Sequence, residues 1–312
     1  MRIDKIEFNI EKAKASRDAI SNLDLKPFMT NYCISLNQIL TTLAVPYMFM
    51  TVGYQKGMLK NMPYTTGLNE LEKLDGYKEK DPKKHAKAIV KHFEKKIKES
   101  DTQSFELAEE EINQLLEKAP PLIDAYRTLG LNSLVNSWTI FEAFSKDLWK
   151  FILNKEPQKL IGHLLKSNNS SLNEIEGING KQISINLLSK YSFNLSNHLG
   201  DILAPKYDFT SAKGIKTAFK ELLNLEKEAL PFLDDKDLKQ LEITRHLIVH
   251  NAGIIDDDYL RRSSMENEKL NDRLTISHID AGNMINASVG SVVGLISLLE
   301  EKTKTANTVY NS

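Results

Sequence analysis

A chain of 312 residues, 41% hydrophobic and 27% charged, has the apolar content to bury one large core or two smaller ones. Its formal net charge is -1 and is evenly spread, with 18 Lys+Arg against 17 Asp+Glu in residues 1–116 and 23 against 25 in the rest. That balance excludes a polycation that grips nucleic acid by bulk charge, and the single cysteine, Cys33, excludes an internal disulfide.

The start Met1-Arg2-Ile3-Asp4-Lys5 has no apolar signal region, so a cytoplasmic protein is expected. Ile3, Ile6, Ile10, Ala13 and Ile20 recur at helical spacing and predict an amphipathic helix closed off before Pro27. Residues 32–43 read as helix. Beyond them, residues 45–52 have strand-like composition, but Pro46 denies them a central place in a sheet and the segment stays unassigned. Gly53, Gly57, Pro63, Gly67 and Gly76 mark a loop-rich stretch.

A basic helix is predicted at residues 82–98, where Ile89, Phe93 and Ile97 form an apolar side; residues 78–99 carry nine Lys against four acids. Such a face is either solvated or a phosphate-tracking surface, with Lys83, Lys87 and Lys91 the candidate substrate contacts. His85 and His92 have no carboxylate or thiol in register, so no metal site is expected there. A further helix at residues 104–117 is broken by Ala119-Pro120-Pro121, which sets a boundary between an α-rich N-terminal region, residues 1–119, and a helical domain, residues 120–304.

After the prolines, Leu134, Val135, Trp138, Phe141, Leu148 and Ile152 build a long helix that ends before Pro157. Within it, Glu142 is an acid among aromatics, either exposed or directed at a cation such as Arg245. A loop at residues 167–181 precedes helices at 183–190 and 211–228. The next helix can be capped by Asp234 or Asp235, runs through Leu238, Leu241, Leu247 and Ile248, and stops at Gly253. Its last turns hold Arg245, His246, His250 and Asn251. On an ideal helix residues five apart are rotated by roughly 140° and rise about 7.5 Å, so Arg245 and His250 flank one seam, with His246 one turn before His250. The plainer reading is a C-terminal cap, since the helix dipole favours cations there.

Beyond the motif, Asp256-Asp257-Asp258 is expected to be solvated, because adjacent side chains point apart. Ser277 and Asp280 form a capping box for the last helix, and Gly290 and Gly294 predict close packing of that helix on a neighbour. The apolar runs 43–50 and 287–299 fall short of the roughly 20 residues that span a bilayer, so no membrane segment is expected. The chain has no Gly-x4-Gly-Lys-Ser/Thr, Gly-x-Gly-x-x-Gly, His-Glu-x-x-His or cysteine pair, which argues against nucleotide hydrolysis, dinucleotide cofactors and zinc; no cofactor is expected.

The Arg-x4-His run from Arg245 to His250, with a polar residue directly after the Arg and Asn251-x-Gly253 after the His, resembles the HEPN superfamily. Gly253-Ile254-Ile255-Asp256 followed by Tyr259-Leu260 extends the likeness, and Phe141-Glu142-Ala143-Phe144 looks like the family's first-helix signature. The nearest group is the branch found beside ribosomal L-PSP-type proteins in prokaryotic defence and toxin systems, over about residues 120–300. The resemblance implies an all-α fold, an antiparallel helical bundle with the α-rich N-terminal region docked on it. It also implies a metal-independent endoribonuclease of a toxin–antitoxin or phage-defence system. His250 would take the proton from the ribose 2′-OH, Arg245 would stabilise charge on the phosphoryl oxygens, and His246 or Asn251 would orient the substrate. The products would carry 2′,3′-cyclic phosphates. The implied partners are RNA, an antitoxin or sensor protein, and a second copy of the chain, packed through Gly290, Gly294 and the long helix at residues 138–152 so that two motif helices line one cleft. The rival reading is a non-catalytic dimerisation or RNA-binding module of the same fold, and a third is a purely structural helical protein.

Overall fold

The computed structural model describes residues 6, 8–61, 81, 84, 87–88, 91, 114, 120–166, 178–179, 182–183, 185–226, 229–265 and 268–310. Among them the protein is all-α, its one strand pair being β1 (Ile178–Asn179) against β2 (Gln182–Ile183), antiparallel with Ile178 opposite Ile183. The helices in order are α1 (Ile10–Ala19), α2 (Lys26–Asn61), α3 (Pro120–Lys155), α4 (Pro157–Lys166), α5 (Ile185–Lys190), α6 (Leu199–Leu203), α7 (Ala212–Leu223), α8 (Lys236–Asn251), α9 (Asp257–Arg262) and α10 (His278–Tyr310).

The chain forms two compact units, Met1–Asp4 with Leu40–Thr128, and Lys5–Ile39 with Leu129–Ser312. This departs from a boundary at residue 119. Pro120 opens α3 rather than separating domains, because proline is at home in a helix's first turn, where its missing N–H would have no partner. Residues 45–52, which have strand-like composition, continue α2 as helix with Pro46 in its interior. Helix α1 starts at Ile10, where the Asn9 side chain accepts the Lys12 N–H at 3.2 Å and caps it; Ile3, the first member of the helical spacing, lies outside the described residues. In the first unit Lys84, Lys87, Ala88 and Lys91 are helical; most of residues 82–98 and 104–117 lie outside the described residues.

The buried side chains of the second unit come from α3 as Leu134, Trp138, Phe141, Leu148 and Trp149; from α7 as Ile215, Phe219 and Leu222; from α8 as Leu238 and Leu241; and from α10 as Ile285, Val289, Val292, Leu295 and Ile296, while Leu247 of α8 belongs to a separate cluster. Each fully buried side chain of this size contributes about 1.5–3 kcal/mol by leaving water. Trp149 donates its indole N–H to the Ala218 carbonyl at 3.0 Å, which ties α3 to α7. The N-terminal segment belongs here because Glu300 accepts from the Asn22 amide at 2.8 Å and from the Ser21 hydroxyl at 2.5 Å, and Asn286 accepts from the Asn9 amide at 2.7 Å.

Helix α10 from His278 to Lys302 is long and apolar enough, by length and composition, to cross a membrane, which the run 287–299 alone did not suggest. In this chain a little over half of its apolar window is buried against protein, and Ser291 donates to the Phe232 carbonyl at 2.9 Å. The expected close packing at Gly294 is found within the protomer. A Cβ there would sit 2.5 Å from the Phe232 ring, so only glycine leaves room for it. Trp138 is likewise wholly buried. Gly294 and the Trp138 side of α3 are therefore packed within the chain, while a Cβ at Gly290 would meet only the Lys12 ammonium at 3.7 Å.

Candidate functional site

Helix α8 begins as its sequence requires. The Asp235 carboxylate accepts the Asp237 and Leu238 amides at 2.8 and 3.2 Å, and Asp237 places negative charge in the first turn. Asp234, the other candidate cap, pairs with Lys216 instead. The helix ends at Asn251, with Ala252 and Gly253 both left-handed at φ 50° and 75°. The cap falls one residue before the glycine, and Gly253 sustains the second positive φ at no steric cost.

The chain then doubles back as a clasp. Ile255 N–H donates to the Asp272 carbonyl at 2.9 Å and Leu274 N–H to the Gly253 carbonyl at 2.8 Å, and Ile254 bridges Arg273. Ile243 and Leu247 of α8 bury against Ile255, Tyr259 and Leu274, with Leu131, Ile248, Leu260 and Ile276 at the edge. Turning Ile243 and Leu247 inward leaves His246, Val249 and His250 on the exposed side of the last turns. The rings of His246 and His250 lie 4.4 Å apart between centroids at 42°, both exposed, as the four-residue spacing predicts.

Arg245 is half-buried, and its Nε has no hydrogen-bond partner. Among the described residues its guanidinium has no ion pair, with Glu142 or with any other carboxylate. The suggested Glu142–Arg245 pair is therefore absent among the described residues, and Glu142 is a half-buried α3 side chain. Asn251 is exposed, and its side-chain amide gives one N–H to the Ile254 carbonyl at 2.6 Å, which leaves its second N–H and its oxygen without a partner among the described residues. Lys87 and Lys91 are exposed helical residues of the first unit, and Lys83 lies outside the described residues. Among the described residues no three His, Cys, Asp or Glu side chains are grouped to hold a metal.

Behind the motif lies a polar network that sequence reasoning passed over. Gln240, 3% exposed, donates to Thr244 at 3.3 Å and to the Tyr259 hydroxyl at 3.1 Å, and accepts from the Ser264 amide at 2.9 Å. Tyr259 in turn donates to Glu268 at 3.2 Å, and Ser263 donates to the other carboxylate oxygen at 3.3 Å. Burial pushes the Tyr259 hydroxyl up to about 12, and burial also raises the Glu268 carboxyl above its usual range against the pull of those two donors. The signal in sequence was a glutamine on a helix whose neighbours are apolar, which alone does not name its partners. Asp256 caps α9 through the Tyr259 amide at 2.8 Å, and Asp258 pairs with Arg261 and Arg262. Asp256 and Asp258 are thus occupied separately, while Asp257 is exposed in the first turn of α9.

The chain matches no family model, no curated protein and no solved structure. The bearing of the site on function rests on its own residues.

Proposed function

We propose that the chain is a metal-independent endoribonuclease of HEPN type, working in a toxin–antitoxin or phage-defence setting, with the end of α8 as its catalytic surface. One observation carries the reading. A half-buried guanidinium without a carboxylate partner among the described residues shares two helical turns with a pair of exposed imidazoles in ring contact. Folding leaves Arg245 with an unmet need for an anion, and phosphate is the anion that a planar, permanently charged fork fits best. In the proposed step His250 removes the 2′-OH proton and the ribose oxygen attacks the adjacent phosphorus. The bond to the 5′ oxygen breaks, and that oxygen takes up a proton, for which the neighbouring His246 is the adjacent donor. Arg245 faces the charge that builds on the non-bridging oxygens. The nucleophile belongs to the substrate, so the step does not require a metal.

The test is incubation of purified protein with mixed RNA in EDTA, with end-group analysis of the fragments. Cleavage leaving 2′,3′-cyclic phosphates and falling on the order of 10²–10⁴-fold in His250→Ala is expected. RNA left intact by the parent, or cut equally by a His250→Ala protein of unchanged circular dichroism, would sink the proposal. A second reading has an observation of its own: Val249 is 51% exposed and Ile254 36%, both beside the motif. A non-catalytic module that pairs through this face would sediment as a dimer, dissociate on Val249→Asp, and leave RNA uncut.

A further inference from the structure

The segment after α5 ends in an unusual turn. Ser192 and Phe193 both adopt left-handed backbone, φ 50° and 59°, which costs free energy for any residue with a Cβ and most for a bulky one. The turn is nonetheless fixed: the Phe193 amide donates to the Leu188 carbonyl at 2.8 Å and the Asn194 amide to the Tyr191 carbonyl at 2.9 Å. The strain does not bury the ring, because Phe193 is 68% exposed. A single exposed phenylalanine is ordinary. One held out to solvent on a strained, hydrogen-bonded turn asks for a further explanation.

Its surroundings supply one. Tyr191 and His198 stack at 5.1 Å with their planes 33° apart, and the Lys190 ammonium lies 5.6 Å from the Tyr191 ring centre. The base of the turn is locked to α3. The Gly200 amide donates to Asn154 at 2.7 Å, and Asp201 pairs with Lys150 at 3.0 Å while facing His198 Nδ1 at 3.5 Å. That aspartate is thereby neutralised, and no Asp or Glu occurs in residues 177–200, in a chain with 42 of them. A rigid mount, flat rings, the Lys190 ammonium, short amide and hydroxyl side chains and a run of sequence without a carboxylate are the components of a surface that stacks bases and tolerates their phosphates.

We propose that this aromatic turn binds single-stranded RNA, with a base stacked on the Phe193 ring and the adjacent phosphate near Lys190. The choice of RNA rests on the ribonuclease reading; the stacking surface itself does not involve the α8 motif. Such a turn would hold a strand independently of the cleavage step and bias the enzyme toward unpaired substrate.

The experiment uses the full chain and a fluorescein-labelled 2′-O-methyl RNA of about 12 nucleotides, within the span such surfaces occupy, which cannot supply the cleaving hydroxyl. Phe193→Gly is the informative variant, because glycine accepts positive φ and the turn survives while the ring is lost. Its affinity is expected to fall roughly 5- to 150-fold, and Phe193→Trp to bind at least as tightly as the parent. Lys190→Gln is expected to flatten the dependence of log affinity on log salt by about 0.7. Equal binding by Phe193→Gly and the parent, or no binding by the parent, overturns the proposal. So does a Phe193→Gly protein that sediments at lower mass with unchanged RNA affinity; the ring, together with the exposed Ile185, would then be a contact between copies of the chain. His250-dependent cleavage is assayed in parallel, so the two claims separate. Cleavage with Phe193-independent binding removes only this inference, and Phe193-dependent binding without cleavage removes only the enzyme.

Discussion

Replacing Arg245 by Met separates a site residue from a structural cap, because the two roles predict opposite changes in stability. Methionine keeps the apolar stem and removes the guanidinium. The parent holds an Nε that is shut away from solvent without a partner; an unpaired buried N–H costs about 1–3 kcal/mol. Against that, a cation near the end of a helix contributes about 0.3–1 kcal/mol through the dipole, which Met gives up. The difference favours Arg245→Met by about 1 kcal/mol, equivalent to roughly 2–4 °C in Tm for a unit of this size. RNA cleavage should fall on the order of 10²–10³-fold at the same time, the usual effect of removing one charge-stabilising donor. The assay is paired calorimetry and cleavage on one preparation. A Tm lowered by several degrees with RNA processing unaltered would refute the reasoning and return Arg245 to the role of a cap.

Three further outcomes test the frame around the site. Gly214→Ala would press a Cβ against the Asp208 carbonyl, backbone on backbone, and is expected to cost about 3 kcal/mol, read as a lower urea midpoint; an unchanged midpoint would show that the turn before α7 yields freely. The Glu268 carboxyl is raised by burial, so the stability it contributes is present at low pH and lost as pH rises through its folded pKa. Relative to Glu268→Gln, the parent should therefore lose Tm as pH rises out of the ordinary glutamate range and through the raised folded value, and a difference that stays constant with pH would contradict the burial argument. Lys87→Glu with Lys91→Glu should flatten the salt dependence of RNA binding, by about 0.7 per lost phosphate contact on a single strand; an unaltered slope would mark that helix as merely solvated.

Features decided within a few residues were legible in the sequence. A cap at Asp234 or Asp235, the end of α8 beside Gly253, the Ser277–Asp280 box and the placing of His246 and His250 on one face all follow from local spacing, and the structure has each of them, with Asp235 as the cap. The all-α class was legible for the same reason. Features decided by partners far along the chain were not. Nothing near Ser21 or Asn22 announces that Glu300 will accept from both, so residues 5–39 read as part of an N-terminal region when they complete the second unit. Asn251 carries a role its motif did not announce, since its amide also closes the turn onto Ile254. Phe193 gave no signal at all, because a phenylalanine between two polar residues reads as core until its exposure and left-handed backbone are seen.

The motif helix is fastened at both ends by different means. Ahead of it, Phe232 fills the notch at Gly294 and its carbonyl takes the Ser291 hydroxyl; behind it, the backbone clasp joins Gly253 and Ile255 to Leu274 and Asp272. Neither fastening touches the exposed turn, yet opening the helix at either end means breaking core contacts first. In hydrogen exchange, the amides of α8 should accordingly open with the whole unit rather than by fraying. A regulator that silences such a surface gains nothing by unwinding it. It has to cover the turn, and the most economical cover is a short segment whose carboxylate reaches Arg245.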